Sequence, residues 1–207
     1  MPKPSLLITL AIALLTASIW YLLSGAEDEP PWPQRIQGFS FSPVHPGQDP
    51  TINRYPTVEQ IKQDLQLLAD NTHAVRTYSV GGTFAEIPRL AEEVGLNVAL
   101  GSWVSGNTEL DEAEMRRLIV LARRHHRNVV RVMVGNEAIL RGDVTVEQAI
   151  ANLDFVRRRV WAPVSIAEPW HVWLEHPELA DHVDYIAAHI LPYCCLLYTS
   201  DAADDET

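Results

Sequence analysis

The sequence predicts an α/β fold, because short runs of β-branched and other apolar residues alternate with segments of helical spacing. Regular alternation of strands and helices favours a parallel sheet with right-handed crossovers. A doubly wound sheet and a (β/α)8 TIM barrel both satisfy this pattern, but the doubly wound sheet usually has a glycine-rich phosphate loop after its first strand. Here residues 41–46 read Phe-Ser-Pro-Val-His-Pro. We therefore predict a barrel.

The predicted barrel is incomplete. A complete (β/α)8 barrel takes roughly 250 residues, whereas we assign residues 35–193 to the barrel domain. These residues contain about six predicted strands, which are 36–42, 73–80, 97–104, 129–134, 163–167 and 183–191. The sequence therefore predicts an incomplete barrel, with about strands one to six.

Helix starts are marked by capping residues. Two helices begin with a capping box, in which a threonine is followed three residues later by a glutamine: Thr57 with Gln60, and Thr145 with Gln148. By the same pattern Thr83 is expected to cap a helix that ends at Gly95. A further helix is predicted over residues 110–126, with an inward face of Met115, Leu118, Ile119 and Ala122.

Residues 1–26 are predicted to be a signal anchor or a signal peptide. Ser5 to Leu23 carries no charge and is long enough to span a bilayer as a helix. The length of the stretch favours an uncleaved anchor, whereas small residues at 24–26 fit a cleavage site loosely. Residues 27–34 then form a stiff, acidic, proline-rich linker. The expected location is extracytoplasmic: membrane-anchored (periplasmic in a Gram-negative cell), or secreted if the leader is cleaved.

Charge and cysteine content exclude some functions. The chain has 27 acidic and 16 basic residues, which argues against nucleic-acid binding because that needs clustered positive charge. Neither a metal site nor a cofactor is predicted, since no His-Glu-x-x-His pattern occurs. Both cysteines lie in residues 194–207, which have no amphipathic period and resemble a translated sequencing adapter. We expect this segment to be a non-native tail and the natural gene to continue.

Polar and aromatic residues follow the predicted strands, at the ends where barrels carry their chemistry. Aromatic rings suit the C–H faces of sugars, whose hydroxyl groups need polar partners. Glycosidases also need two carboxylates, one of which protonates the leaving oxygen. The residues at these strand ends are Arg76, Tyr78, Trp103, Asn136, Glu137, Glu168, Trp170, His189 and Tyr193.

Three motifs among these strand ends resemble glycoside hydrolase family 17, the β-1,3-glucanases and transglucosylases. They are Val75-Arg76-Thr77-Tyr78, Val134-Gly135-Asn136-Glu137 and His189-Ile190-Leu191-Pro192-Tyr193. The likeness covers residues 36–193 and is greatest to bacterial membrane-anchored members, some of which precede a glucan-synthase module. It implies a retaining mechanism on a (β/α)8 barrel, with Glu137 as general acid/base.

The resemblance also implies substrate contacts. Asn136 would hold the sugar 2-hydroxyl, and Tyr78 and Tyr193 would line the subsite next to the cleaved bond. Arg76 would fix carboxylate geometry through a forked hydrogen bond. The implied nucleophile is a second glutamate on strand seven, beyond this chain, so the chain alone is expected to be inactive.

Several residues keep alternative interpretations. Glu168 is expected to accept a sugar hydroxyl rather than to replace the nucleophile. Trp170 is a candidate for sugar stacking, although its spacing from Trp173 also fits a short helix packed on the barrel. His189, on an apolar strand, is interpreted as a satisfied core histidine.

Three functions follow from the sequence. The first is a β-1,3-glucan hydrolase or transglucosylase that acts on extracytoplasmic glucan. The second is a glucan-binding or processing domain attached to a membrane-bound glycosyltransferase that makes β-glucan. The third is a sugar-binding barrel without catalysis. The partners expected are a β-glucan, the membrane through the N-terminal helix, and a downstream glycosyltransferase module.

Overall fold

The computed structural model describes residues 4–23 and 33–190, which belong to two separate units. The first unit contains helix α1 (Pro4–Leu23), whose stretch Ser5–Leu23 has a mean hydropathy of 2.3. Twenty residues of helix span about 30 Å, the thickness of the bilayer core. By length and composition α1 is able to cross a membrane, and a signal sequence meets the same criteria.

The second unit is a parallel sheet whose six strands pair in chain order. The strands are β1 (Phe39–Ser40), β2 (Ala74–Arg76), β3 (Asn97–Ser102), β4 (Val129–Asn136), β5 (Val164–Pro169) and β6 (Ala187–His189). The helices are α2 (Val58–Ala69), α3 (Ile87–Glu93), α4 (Thr108–Arg124), α5 (Val146–Arg157) and α6 (Trp170–Glu175). A doubly wound sheet would reverse its strand order. The prediction of an incomplete barrel is therefore confirmed.

The core lies between the sheet and the helices that cover it. Every residue of β5 is buried, as expected for a parallel strand covered on both faces. The helices contribute apolar stripes, which include Ile61 and Leu65 from α2 and the predicted Met115 and Leu118 from α4. This packing brings the carboxyl ends of the strands to one rim.

Element boundaries differ from the predicted ones mainly at the strands. The first strand contains two residues instead of seven, and before it Ile36 makes only an isolated bridge to Thr72. β4 is longer than predicted and continues through Gly135 to Asn136. This extension carries the strand, with a shift in its pairing to β5 between Met133 and Asn136, up to the residue before Glu137.

Both predicted capping boxes are confirmed, at Thr57 and Thr145. The predicted cap at Thr83 is wrong. Its hydroxyl donates to the carbonyl oxygen of Pro56 at 2.7 Å, and a 3-10 turn at Gly82–Glu86 precedes α3. The tertiary contact therefore uses the hydroxyl that the local pattern assigned to a cap.

β2 and β3 approach each other so closely that only glycine fits at position 101. A Cβ at Gly101 would overlap the carbonyl oxygen of Thr77. We expect Gly101→Ala to lower the free energy of unfolding by about 1–3 kcal/mol or more, through overpacking. Chemical denaturation measures this, with Gly38→Ala as control, because a Cβ there would lie 3.4 Å from the oxygen of Ala74. Equal effects of the two substitutions would contradict the prediction.

Candidate active site

Side chains from three strand ends form one hydrogen-bonded network at the carboxyl rim. Arg76 ends β2, Asn136 ends β4 with Glu137 next, and His189 ends β6. Arg76 Nη2 donates to Asn136 Oδ1 at 2.5 Å, and Arg76 Nη1 lies 3.0 Å from His189 Nε2. His189 Nδ1 lies 2.7 Å from Glu137 Oε1. The fold thus joins groups that are far apart in sequence.

The forked hydrogen bond of Arg76 to a carboxylate remains a prediction, because its contacts within the described residues are with other groups. The guanidinium reaches the amide oxygen of Asn136 and the ring nitrogen of His189, rather than a carboxylate. Its third nitrogen, Nε, is buried and has no hydrogen-bond partner within residues 33–190. One donor of Arg76 is therefore available to a further acceptor.

The surroundings of Arg76 shift the pKa of its guanidinium in opposite directions. Burial lowers the pKa of Arg76 from its ordinary value, while Tyr78, Tyr185 and Glu137 raise it. The guanidinium lies 4.8 Å from the ring centroid of Tyr78, within the range of a cation–π contact. Burial also raises the pKa of Tyr185 to about 12. Arg76 stays cationic, because arginine is not deprotonated in proteins.

Glu137 has an unusual backbone conformation. Its φ is 54°, in the left-handed region, two residues after Gly135 at φ 92°. A non-glycine residue in this region costs about 1–3 kcal/mol and persists only where its surroundings enforce it. The N–H of Glu137 donates to the carbonyl oxygen of Ala167 at 2.7 Å, which ties the turn to β5. The backbone conformation that places this carboxylate at the rim therefore lowers the stability of the fold.

Glu168 supports this turn from the neighbouring strand. Its side chain is fully buried, and its two oxygens accept from the backbone N–H of Ile139 at 2.9 Å and of Leu140 at 3.4 Å. Burial raises the pKa of Glu168, the two backbone amides lower it, and the charge of Glu137 raises it. The carboxylate faces the turn that follows Glu137, and its contact with a sugar hydroxyl remains a prediction.

Arg141 holds the same turn from the solvent side. Its backbone N–H donates to the carbonyl oxygen of Glu137 at 2.9 Å, and its guanidinium donates to the carbonyl oxygens of Asn136 and Val104. The guanidinium also lies 4.5 Å from the ring centroid of Trp103. Arg141 therefore links the ends of β3 and β4.

Comparisons with known proteins identify the family. A family model described as the BtgE/BtgC glycoside hydrolase domain matches residues 38–204. The chain belongs to this family. The predicted resemblance is therefore confirmed at the level of a domain like those of glycoside hydrolase family 17.

Two solved structures of a Rhizomucor miehei β-1,3-glucanosyltransferase share the fold. One is described as a member of glycoside hydrolase family 17, and the other is an active-site mutant in complex with laminaritriose. Each is 23% identical, has a TM-score of 0.64 and covers 76% of this chain. The chain covers 58% of the length of each. Comparison with curated protein sequences found no match.

Aromatic rings lie along the rim of this glycoside hydrolase domain. Trp103 and Trp170 are 42% and 37% exposed, so each presents part of its ring to solvent. Trp173 is buried in the core, as the helical alternative for this pair predicted. Tyr78 is half-buried beside Arg76, and Tyr193 lies outside the described residues. Sugar contacts of Tyr78, Trp170 and Tyr193 remain predictions.

Two network residues were missed as site residues by sequence reasoning. His189 was interpreted as a core histidine, although its place in the third motif was a usable signal. Arg141 lies in the loop after Asn136 and Glu137, where an arginine has no distinguishing pattern. Across residues 4–23 and 33–190, no group of three or more His, Cys, Asp or Glu side chains is placed to hold a metal ion.

Proposed function

We propose that the complete protein is a retaining β-1,3-glucan hydrolase or transglucosylase, with Glu137 as its general acid/base. The main support is the network that joins Glu137 and Asn136 to Arg76 and His189 at the carboxyl rim. Membership of a glycoside hydrolase family supports the reaction class. The β-1,3 linkage is carried over from the names of the two structural relatives.

Glu137 would act in both halves of a retaining reaction. In the first half, its carboxylic acid gives a proton to the glycosidic oxygen as the nucleophile attacks the anomeric carbon and the C–O bond breaks. In the second half, its carboxylate takes a proton from the attacking hydroxyl as the glycosyl–enzyme bond breaks. Water as attacking group gives hydrolysis, and a sugar hydroxyl gives transfer.

The orientation of Asn136 supports its proposed contact with the substrate. Arg76 has only donors, so the oxygen of the Asn136 amide faces Arg76 and its NH2 group faces away. That NH2 group offers a donor to the 2-hydroxyl of a sugar bound beside Glu137. A contact of this kind strengthens in the transition state of a glycosidase.

A retaining mechanism requires a second carboxylate as nucleophile, and the family resemblance indicates where it lies. We propose that the nucleophile is a glutamate on a seventh strand, beyond residue 193. The buried Nε of Arg76, without a partner in the described part of the chain, offers a donor to such a carboxylate. On this proposal, residues 1–193 without the remaining strands have no turnover.

The location of the enzyme is part of the proposal. We propose that α1 anchors the domain, or serves as its signal peptide, and that residues 27–34 link it to the barrel outside the cytoplasm. The length and hydropathy of α1 support this. The assignment of residues 194–207 as a non-native tail, and a downstream glycosyltransferase module, are likewise proposals that long-read sequencing across the codon of Cys194 tests.

Product analysis tests the proposed function. We expect the full-length protein to act on laminari-oligosaccharides and to release first products with the β configuration, observed by ¹H NMR. Longer products identify transfer, and new reducing ends without longer products identify hydrolysis. Cello-oligosaccharides serve as the linkage control. A folded protein that gives α products, or that has no turnover, would overturn the proposal.

A further inference from the structure

His189 has both ring nitrogens bonded to charged side chains of the site. Nδ1 lies 2.7 Å from Glu137 Oε1, and Nε2 lies 3.0 Å from Arg76 Nη1. The imidazole is 18% exposed, and Glu137 is 28% exposed. A core histidine would meet backbone carbonyls or other neutral groups, whereas this ring bridges a cation and a carboxylate.

Arg76 determines the tautomer of His189. A guanidinium offers only N–H donors, so the nitrogen that faces it must accept. Nε2 therefore carries the lone pair, and the proton of the neutral ring is on Nδ1. This N–H donates to Glu137 Oε1, so the contact between the two residues is a hydrogen bond from a neutral imidazole to a carboxyl group.

This donor leaves one oxygen of Glu137 for the acid proton. Oε1 faces the N–H of His189, and a proton on Oε1 would place two hydrogens against each other. The acid form of Glu137 therefore carries its proton on Oε2. After that proton leaves, the N–H of His189 remains as a charge-assisted donor to the carboxylate.

We propose that His189 is a positioning residue that directs the transferable proton of Glu137 to Oε2. Arg76 contributes by holding the imidazole in the tautomer that has its proton on Nδ1. The inference rests on the proposed role of Glu137 as acid/base. The groups that face the imidazole or its partner are Arg76 from β2, Glu137 after β4 and Glu168 from β5. Among the described residues, Glu137 is the hydrogen-bond acceptor for Nδ1.

Two amide substitutions separate the two contacts of the ring. The amide of an asparagine reaches about as far as Nδ1, so His189→Asn keeps a donor to Glu137 and loses the acceptor for Arg76. The amide of a glutamine reaches about as far as Nε2, so His189→Gln keeps the acceptor for Arg76 and loses the donor to Glu137. The pair is matched in chemistry and differs in reach.

The experiment measures kcat/KM of the full-length variants with two substrates. With laminari-oligosaccharides, His189→Gln is expected to lose about 10- to 100-fold, which corresponds to one hydrogen bond to a charged group. With a dinitrophenyl β-glycoside, whose leaving group needs little protonation, the same variant should stay close to wild type. His189→Asn, which keeps the donor to Glu137, should lose clearly less than His189→Gln with the oligosaccharides.

Specific outcomes overturn the proposal. Equal losses for both substrates in His189→Gln would indicate a structural defect, and equal behaviour of the two variants would remove the role of Nδ1. Glu137→Ala separates this proposal from the proposed function. Full oligosaccharide activity in Glu137→Ala would contradict both the acid/base role of Glu137 and the positioning role of His189. An inactive Glu137→Ala together with an unaffected His189→Gln would contradict only the role of His189.

Discussion

Replacing Glu137 with glutamine in the full-length protein is expected to lower kcat/KM for laminari-oligosaccharides by about 10²- to 10⁴-fold, the range for general acid–base catalysis. Glutamine has nearly the same shape, and its oxygen is able to accept from His189 Nδ1 as Glu137 Oε1 does now. It has no proton of comparable acidity for the leaving oxygen. The substitution therefore removes the proton transfer and retains the network.

Kinetics and unfolding together measure this effect. The melting temperature of Glu137→Gln should match the wild type, and its kcat/KM with a dinitrophenyl β-glycoside should fall much less than with the oligosaccharide. Glu175→Gln, at an exposed position of α6, is the matched control and should leave both substrates unaffected. Wild-type oligosaccharide activity in Glu137→Gln would refute the assignment of the acid/base.

Replacing Glu168 with alanine is expected to have the largest effect on stability. The substitution leaves the backbone N–H groups of Ile139 and Leu140 without their acceptor. An unsatisfied buried donor costs about 1–3 kcal/mol, and removal of the buried Glu168 side chain adds the cost of a cavity, so we expect the free energy of unfolding to fall by about 2–5 kcal/mol. Because the same turn holds Glu137 at φ 54°, kcat should fall as well. Denaturant unfolding and kinetics on one preparation measure both changes.

Glu168→Gln is the matched variant, and its comparison with the wild type isolates the pH dependence of stability that comes from the Glu168 carboxyl group. Burial raises the pKa of Glu168 above its ordinary 4.5, so the folded state binds a proton more readily than the unfolded state. This contribution to stability is complete below the unfolded pKa and is lost as pH rises through the folded pKa. Glutamine does not titrate there.

The raised pKa of Glu168 predicts how the stability of the wild type and of Glu168→Gln changes with pH. The free energy of unfolding of the wild type, relative to Glu168→Gln, should decrease as pH rises from about 4.5. Denaturant unfolding at several pH values measures the difference. A difference that grows with pH would show that the folded protein favours the ionised carboxylate, and would refute the role given to burial.

Much of the fold was predictable from local pattern. The helical stripe of α4 and the capping boxes at Thr57 and Thr145 depend on residues within a few positions of each other, and the structure confirms them. The cap at Thr83 was wrong because its hydroxyl bonds to Pro56, which is 27 positions away. Long-range partners of this kind leave no local signal.

In the candidate site too, local pattern predicted some residues, whereas contacts between distant residues could not be predicted. Asn136 and Glu137 were found because they end an apolar strand, and Arg76 because it ends another. The role of His189 was missed because it depends on contacts with residues 52 and 113 positions away. Glu168 was found as a carboxylate, but its direction depends on how the turn after Glu137 packs against β5.

The sequence by itself determined the alternation of strands and helices, the apolar N-terminal helix, the family and the position of Glu137 at a strand end. These depend on composition and on neighbours along the chain. Tertiary structure alone decided which donors and acceptors meet: the partners of His189, the partners of Arg76 and the buried support from Glu168. Hydrogen bonds depend on distances of about 3 Å and on direction, which only the packed sheet supplies.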